Sequence, residues 1–227
     1  MHLIQQTSEL ESKPVLVANR ERWTELFLLF FLLPCGFYFV REYMHFVLLP
    51  LMVFGSAACM WVLLKDHKFK RFRLWNKKGF KKLIKPVVFQ FFALMVFTTG
   101  VFYWLDPEQL FYLPKFELET WLLLLIVYPL FSALPQELIF RTFLFHRYKH
   151  IIPRKKHRVL LSSVAFGFAH LFYANWVAVI LSMAAGYVFS KTYAQSRSTI
   201  LVALEHSFWG AWVFTLGLGS YFTSSMI

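Results

Sequence analysis

The chain has 227 residues, 58% of them hydrophobic and 20% aromatic, with a formal net charge of +12. Soluble domains hold about 45–50% apolar residues, so an ordinary soluble domain is excluded and an integral membrane protein is indicated. The two cysteines, Cys35 and Cys59, each lie in an apolar run. They read as membrane-buried thiols rather than as a disulfide framework or a C-x-x-C metal site.

Residues 1–23 are polar and mixed in charge, with no short apolar stretch and small-residue cleavage site of a secretory signal. They read as a cytoplasmic N-terminal segment. Apolar runs follow near 24–40, 43–64, 86–105, 119–145, 159–175, 176–194 and 199–219, close to the ~20 residues that a helix needs to cross a bilayer. The expected fold is therefore all-α: a polytopic transmembrane helix bundle of about seven spans, within a range of roughly six to eight, forming a single domain over 24–227. Pro129 and Pro135 predict a kink or break in the fourth span, because proline removes a backbone donor and crowds the preceding turn. The fifth and sixth spans meet at Asn175 with almost no loop.

The cations predict orientation. Ten lysines and arginines lie between Lys65 and Lys85, and six between Arg147 and Arg158. Lys191 and Arg197 separate the last two spans, and Lys13, Arg20 and Arg22 precede the first. With seven spans and a cytoplasmic N-terminus all of these share one side, while Arg41 and Lys115 fall opposite, which is a positive-inside pattern. Between Lys65 and Lys85, aromatics such as Phe69, Phe72 and Trp75 are interleaved with bases. This predicts an interfacial amphipathic helix on anionic lipid. The flanking apolar spans argue against nucleic acid as the partner.

Few ionisable groups lie deep in the spans, where each costs about 3 kcal/mol by insertion measurements. They are Glu137 and Arg141 in LPQELIFR, His170 in FGFAH, and Glu205 with His206 in LEHSFWG; His45 sits near the start of the second span. From a rise of 1.5 Å per residue, Glu137, His170 and His206 lie roughly 15, 16 and 10 Å from the same edge, close enough in depth to meet. Each has a bland alternative. Glu137 and Arg141 form a favourable i, i+4 pair, and Glu137 after Pro135 would suit a helix start. A lone buried histidine is commonly a satisfied polar residue. Glu205 and His206, about 100° apart on a helix, cannot both point squarely into one site, so Glu205 would fix the His206 ring or face elsewhere.

A carboxylate beside an imidazole can hold a water and remove its proton for attack on a peptide carbonyl, and a second imidazole can donate to the resulting oxyanion. No G-x-S-x-G elbow or H-E-x-x-H pair is present. No cofactor is expected, although two histidines and a glutamate remain a possible zinc set.

The order Q-E-x-x-x-R (Gln136, Glu137, Arg141), F-x-x-x-H (Phe166, His170) and a later histidine, His206, resembles the CAAX protease and bacteriocin-processing family of intramembrane glutamic endopeptidases. The resemblance covers roughly 118–216, which would be the catalytic core. It implies Glu137, His170 and His206 as catalytic residues, with Gln136, Arg141 and Glu205 in support. The family pattern is E-E-x-x-x-R, its first Glu and the F-x-x-x-H histidine activating water and the last histidine helping to form the oxyanion site. Here Gln136 replaces that first Glu, and Gly210 stands where an asparagine commonly follows the last histidine by four residues. The implied activity is hydrolysis of a peptide bond in a membrane-anchored peptide or protein by water activated at His170 with Glu137. The expected location is a bacterial inner membrane with the N-terminus cytoplasmic. Two competitors stand beside it: a non-catalytic family member acting as a membrane binding, immunity or scaffold protein, and a small transporter with Glu137, His170 and His206 as a proton relay.

Overall fold

The computed structural model describes residues 19–43 and 47–219. Lys13, His45 and most of the expected N-terminal segment lie outside them. The described residues form helices and no strands. In chain order they are α1 (Asn19–Phe39), α2 (Leu48–Lys65), α3 (Lys77–Leu105), the short α4 (Tyr112–Phe116), α5 (Leu118–Arg147), α6 (Lys155–Ala169), α7 (Trp176–Ser196) and α8 (Thr199–Leu216). Six of these, α1, α2, α3, α5, α7 and α8, are long and apolar enough to cross a membrane. The chain is thus a polytopic transmembrane helix bundle.

The run at 159–175 is not one regular α-helix. α6 has 15 residues and passes into a 3-10 turn at His170–Tyr173. Fifteen α-helical residues rise about 22 Å and the four 3-10 residues about 8 Å, together close to a hydrocarbon core of about 30 Å. Four of its buried residues, Ser162, Ser163, Ala165 and Gly167, are small, so α7 can approach closely. Ser163 Oγ donates to the Met183 carbonyl (2.6 Å) and Ser190 Oγ to Ser162 Oγ (2.8 Å). A Cβ on Gly186 would come 3.1 Å from the Phe166 Cβ. Small residues and interhelical hydrogen bonds hold such pairs where lipid supplies no hydrophobic drive.

Two expectations need correction. α5 is continuous past both prolines: Pro129 opens a π turn at Pro129–Ala133, Pro135 lies in the α-helical turn Leu134–Glu137 that follows, and a second π turn spans Leu138–Phe143. The wider turn accommodates the missing prolyl N–H. Glu137 therefore sits inside a helix and has no helix start beside it. The Lys65–Lys85 segment is not a separate amphipathic helix either. It runs irregularly through a 3-10 turn at Arg71–Arg73 to Asn76, which caps α3 by accepting from the Gly79 N–H (3.3 Å). Lys77–Lys85 is then the first part of α3 itself.

The segments rich in cations meet at one end of the bundle. Asn76 Nδ2 donates to the Ser196 carbonyl (2.8 Å), and the Ile200 N–H to the Leu74 carbonyl (3.2 Å). His146 Nε2 bonds Asp66 Oδ2 (2.7 Å), and Arg147 bonds Glu25 of α1 through Nε (2.9 Å) and Nη2 (2.8 Å). At the other end the Phe111 N–H bonds the Leu216 carbonyl (3.3 Å). The alternation of ends along the chain matches the charge pattern read from the sequence.

Candidate functional site

α5, α6 and α8 bring the deep polar groups together. Glu137 is fully buried on α5. Its Oε1 accepts from His206 Nδ1 of α8 (2.8 Å), and its Oε2 pairs with Arg141 Nε (3.1 Å). That second contact lacks the alignment of a hydrogen bond. Arg141, also fully buried, reaches the Gly186 carbonyl with Nη2 (3.4 Å) and lies over the faces of Phe166 (4.3 Å) and Phe189 (5.4 Å). Aromatic faces offset part of the cost of a dry guanidinium. The Glu137–Arg141 pair read from the sequence exists, and its carboxylate also fixes an imidazole.

His206 stacks on Phe189 with ring centroids 4.8 Å apart and meets Phe166 edge-on at 5.4 Å. His170 Nδ1 donates to the Phe166 carbonyl one turn back (2.7 Å), and its ring lies 4.7 Å from that of Phe166. Phe166 is thus the shared wall of both histidines. With Nδ1–H engaged in each ring, the neutral form carries its lone pair on Nε2.

Both histidines line one cavity of about 410 Å³, within the size range of small-molecule sites. Gln136, Tyr128, Ser132 and Tyr173 line it as well, and α3 closes one side with Gln90, Leu94 and Thr98. Gln136, not Glu137, faces this space, and its Nε2 donates to Ser132 Oγ (2.9 Å). Glu137 stands behind His206. Glu205 turns away from the cavity: its Oε1 accepts from Thr192 Oγ1 of α7 (3.2 Å), and Oε2 is buried without a hydrogen bond. The role of fixing His206 therefore falls to Glu137 and not to Glu205.

Gly210 is explained by Tyr128. A Cβ at position 210 would overlap the Tyr128 ring and hydroxyl, so the tyrosine occupies the room that a side chain there would fill. The ring also meets His206 edge-on at 5.9 Å. Tyr128 was missed from the sequence because a tyrosine in an apolar run carries no periodic signal. Gln90 and Ser132 could have been noticed as lone polar residues in spans. A zinc set is not assembled: no group of three His, Cys, Asp or Glu is placed to hold a metal among the described residues. The two oxygens of Glu137 are directed at His206 and Arg141, and Glu205 faces Thr192.

Residues 118–212 match the family model described as type II CAAX prenyl endopeptidase Rce1-like. No curated protein and no solved structure gives a match. The matched stretch runs from the start of α5 into α8 and contains Gln136, Glu137, Arg141, His170, Glu205 and His206.

Proposed function

We propose, from the match of residues 118–212 to the Rce1-like CAAX endopeptidase model, that the protein is an intramembrane peptidase that hydrolyses a peptide bond of a membrane-anchored substrate. The observation that carries the reading is one cavity lined by two histidines whose Nδ1 atoms are tied back, one to a buried carboxylate and one to a main-chain carbonyl.

In the mechanism this supports, water sits between His170 Nε2 and the Gln136 amide. Gln136 cannot take a proton, so it positions the water and His170 removes the proton. Hydroxide attacks the carbonyl carbon, and the oxyanion forms near His206. A carboxylate behind an imidazole stabilises its doubly protonated form, so His206, with Glu137 behind it and Arg141 paired to that carboxylate, donates from Nε2. The Tyr128 hydroxyl supplies a second donor in the space left by Gly210. The proton held by His170 then passes to the departing amine as the C–N bond breaks. Glu137 thus acts through His206, in place of the water-activating role that the motif suggested.

The mostly apolar cavity wall and its side on α3 suit a lipid-anchored peptide. We place the basic end in the cytoplasm on the charge asymmetry alone. The reading is tested with protein reconstituted in liposomes and a membrane-tethered peptide. His170→Ala and Glu137→Ala are expected to abolish cutting, and full activity of both would overturn the mechanism. Gln136→Glu is expected to increase cutting by supplying a second base at the water.

A second reading has one observation in its favour, the neutral Gln136 at the cavity where the family carries a carboxylate. In it the protein binds a membrane peptide without cutting it. It predicts that Glu137→Gln and His170→Gln keep the phenotype, while filling the cavity from Ser132 with leucine abolishes it.

A further inference from the structure

At the basic end of the bundle a second cavity, of about 80 Å³, lies between the loop before α3 and the ends of α5, α6 and α7. Five cations from four parts of the chain line it: Arg73, Lys149, Lys155, Arg158 and Arg197. No carboxylate is among its lining residues, and Asp66, nearby, is bonded to His146. Arg158 is only 8% exposed. Its Nη1 donates to the carbonyls of Ile152 and Pro153, the latter at 3.0 Å, which fixes the guanidinium in place. Its Nε, and that of Arg73, are buried without a hydrogen-bond partner. Buried donors without acceptors are uncommon in native proteins and call for an explanation. Burial first, then the neighbouring Arg73, Lys68 and Arg158, hold the Lys149 ammonium below the usual lysine range, against the pull of Asp66.

We propose that this cavity binds a phosphate monoester dianion, carried on an anionic lipid headgroup or on free phosphate. The volume takes one tetrahedral group and falls well short of the roughly 300–1,000 Å³ of drug-sized sites. Phosphate supplies acceptors in several directions for guanidinium forks and ammonium groups that converge from different helices. The remaining lining residues, Phe145, Tyr193 and Ala194, are closed in or small, so no aromatic face is open for a base to stack on. The site is separate from the histidine cavity and does not depend on peptidase activity. Occupied, it would tie the α5–α6 turn to the α7–α8 junction and to the loop before α3.

The test uses the full chain in nanodiscs of phosphatidylcholine. Its thermal midpoint is followed against inorganic phosphate, and in discs doped with phosphatidic acid or, at matched charge, phosphatidylglycerol. A saturable rise with phosphate or with phosphatidic acid, absent with phosphatidylglycerol, is expected. A rise with inorganic phosphate alone identifies a soluble ligand, and any rise with phosphatidic acid a lipid one. Lys149→Gln with Arg197→Gln, whose side chains hold no protein hydrogen bond among the described residues, should weaken the apparent affinity by about tenfold or more. Lys77→Gln with Lys78→Gln removes the same charge outside the cavity and should stay within about twofold. Equal weakening by the two double variants, or a response to phosphatidylglycerol as strong as to phosphatidic acid, reduces the effect to general surface charge and overturns the proposal. So does the absence of any saturable rise, and that arm decides even if a variant fails to fold.

Discussion

α5 carries two glutamate–arginine contacts about a turn and a half apart, and they are built in opposite ways. At the basic end, Glu25 of α1 accepts from Arg147 Nε and Nη2, from the Tyr148 hydroxyl (3.0 Å) and from Arg22 Nη1 (3.0 Å). Both of its oxygens are fully engaged, the geometry is bidentate, and water reaches the edge. Deeper in, Glu137 meets Arg141 without good alignment, and Arg141 Nη1 has no hydrogen-bond partner. Its better bond goes to His206, at the rim of the cavity. The same residue types therefore act as a strut in one place and as the support of a reactive ring in the other. What separates them is not charge but what the carboxylate does with its second oxygen.

That contrast can be broken from either side. The largest expected effect follows Glu137→Ala, which strands Arg141 in a dry interior. Breaking a buried pair this way costs about 3–5 kcal/mol, measurable by chemical unfolding in detergent. Glu137→Leu with Arg141→Met should recover most of that stability yet cut no substrate, because His206 loses its carboxylate. Tyr128→Phe is expected to lower kcat by about a hundredfold to a thousandfold with KM unchanged, as loss of one oxyanion donor does. An unchanged kcat removes Tyr128 from the site.

Smaller effects belong to the strut. Glu25→Ala should lower stability by about 1 kcal/mol, the modest value reflecting its partial exposure, and leave kcat unaltered. The smallest concerns Asp66. The bond from His146, and then the N–H of Lys68, hold its carboxyl below the usual 3.8. A lowered carboxyl contributes stability that is complete above the ordinary value and is lost as pH falls through the lowered one. Wild type should thus lose this contribution only in acid below about pH 4, and Asp66→Asn should flatten that limb of the profile by less than about 1 kcal/mol.

Much of the bundle was legible because a span of apolar residues has few alternatives to a helix in lipid. The fifth run was legible as a crossing but not as one α-helix: α6 ends in a 3-10 turn at His170–Tyr173, and its serines and glycine make it a packing partner for α7. The prolines of α5 misled, since local chemistry predicts a break and packing turned it into π turns. At the site, matched depth correctly suggested that Glu137 and His206 could meet. It could not say which face of the helix each residue occupies, so the choice between Gln136 and Glu137 at the cavity waited for coordinates. Tyr128 was illegible, although the glycine at 210 pointed to a missing donor.

The π turns in α5 bear on that same choice. A π turn is a one-residue insertion in an α-helix, and one residue on a helix turns about 100°. Which of two neighbours, a neutral amide or a carboxylate, looks at the water is thus a matter of phase set upstream at Pro129–Ala133. Deleting one residue there would let the π turn close to an α turn, which keeps the phase beyond it and leaves Gln136 at the water. Deleting one in the α-helical stretch Leu118–Tyr128 would instead carry position 137 toward the cavity. The charge at the water can therefore be altered in two ways, by exchanging the side chain at 136 or by shifting the screw of the helix that carries it.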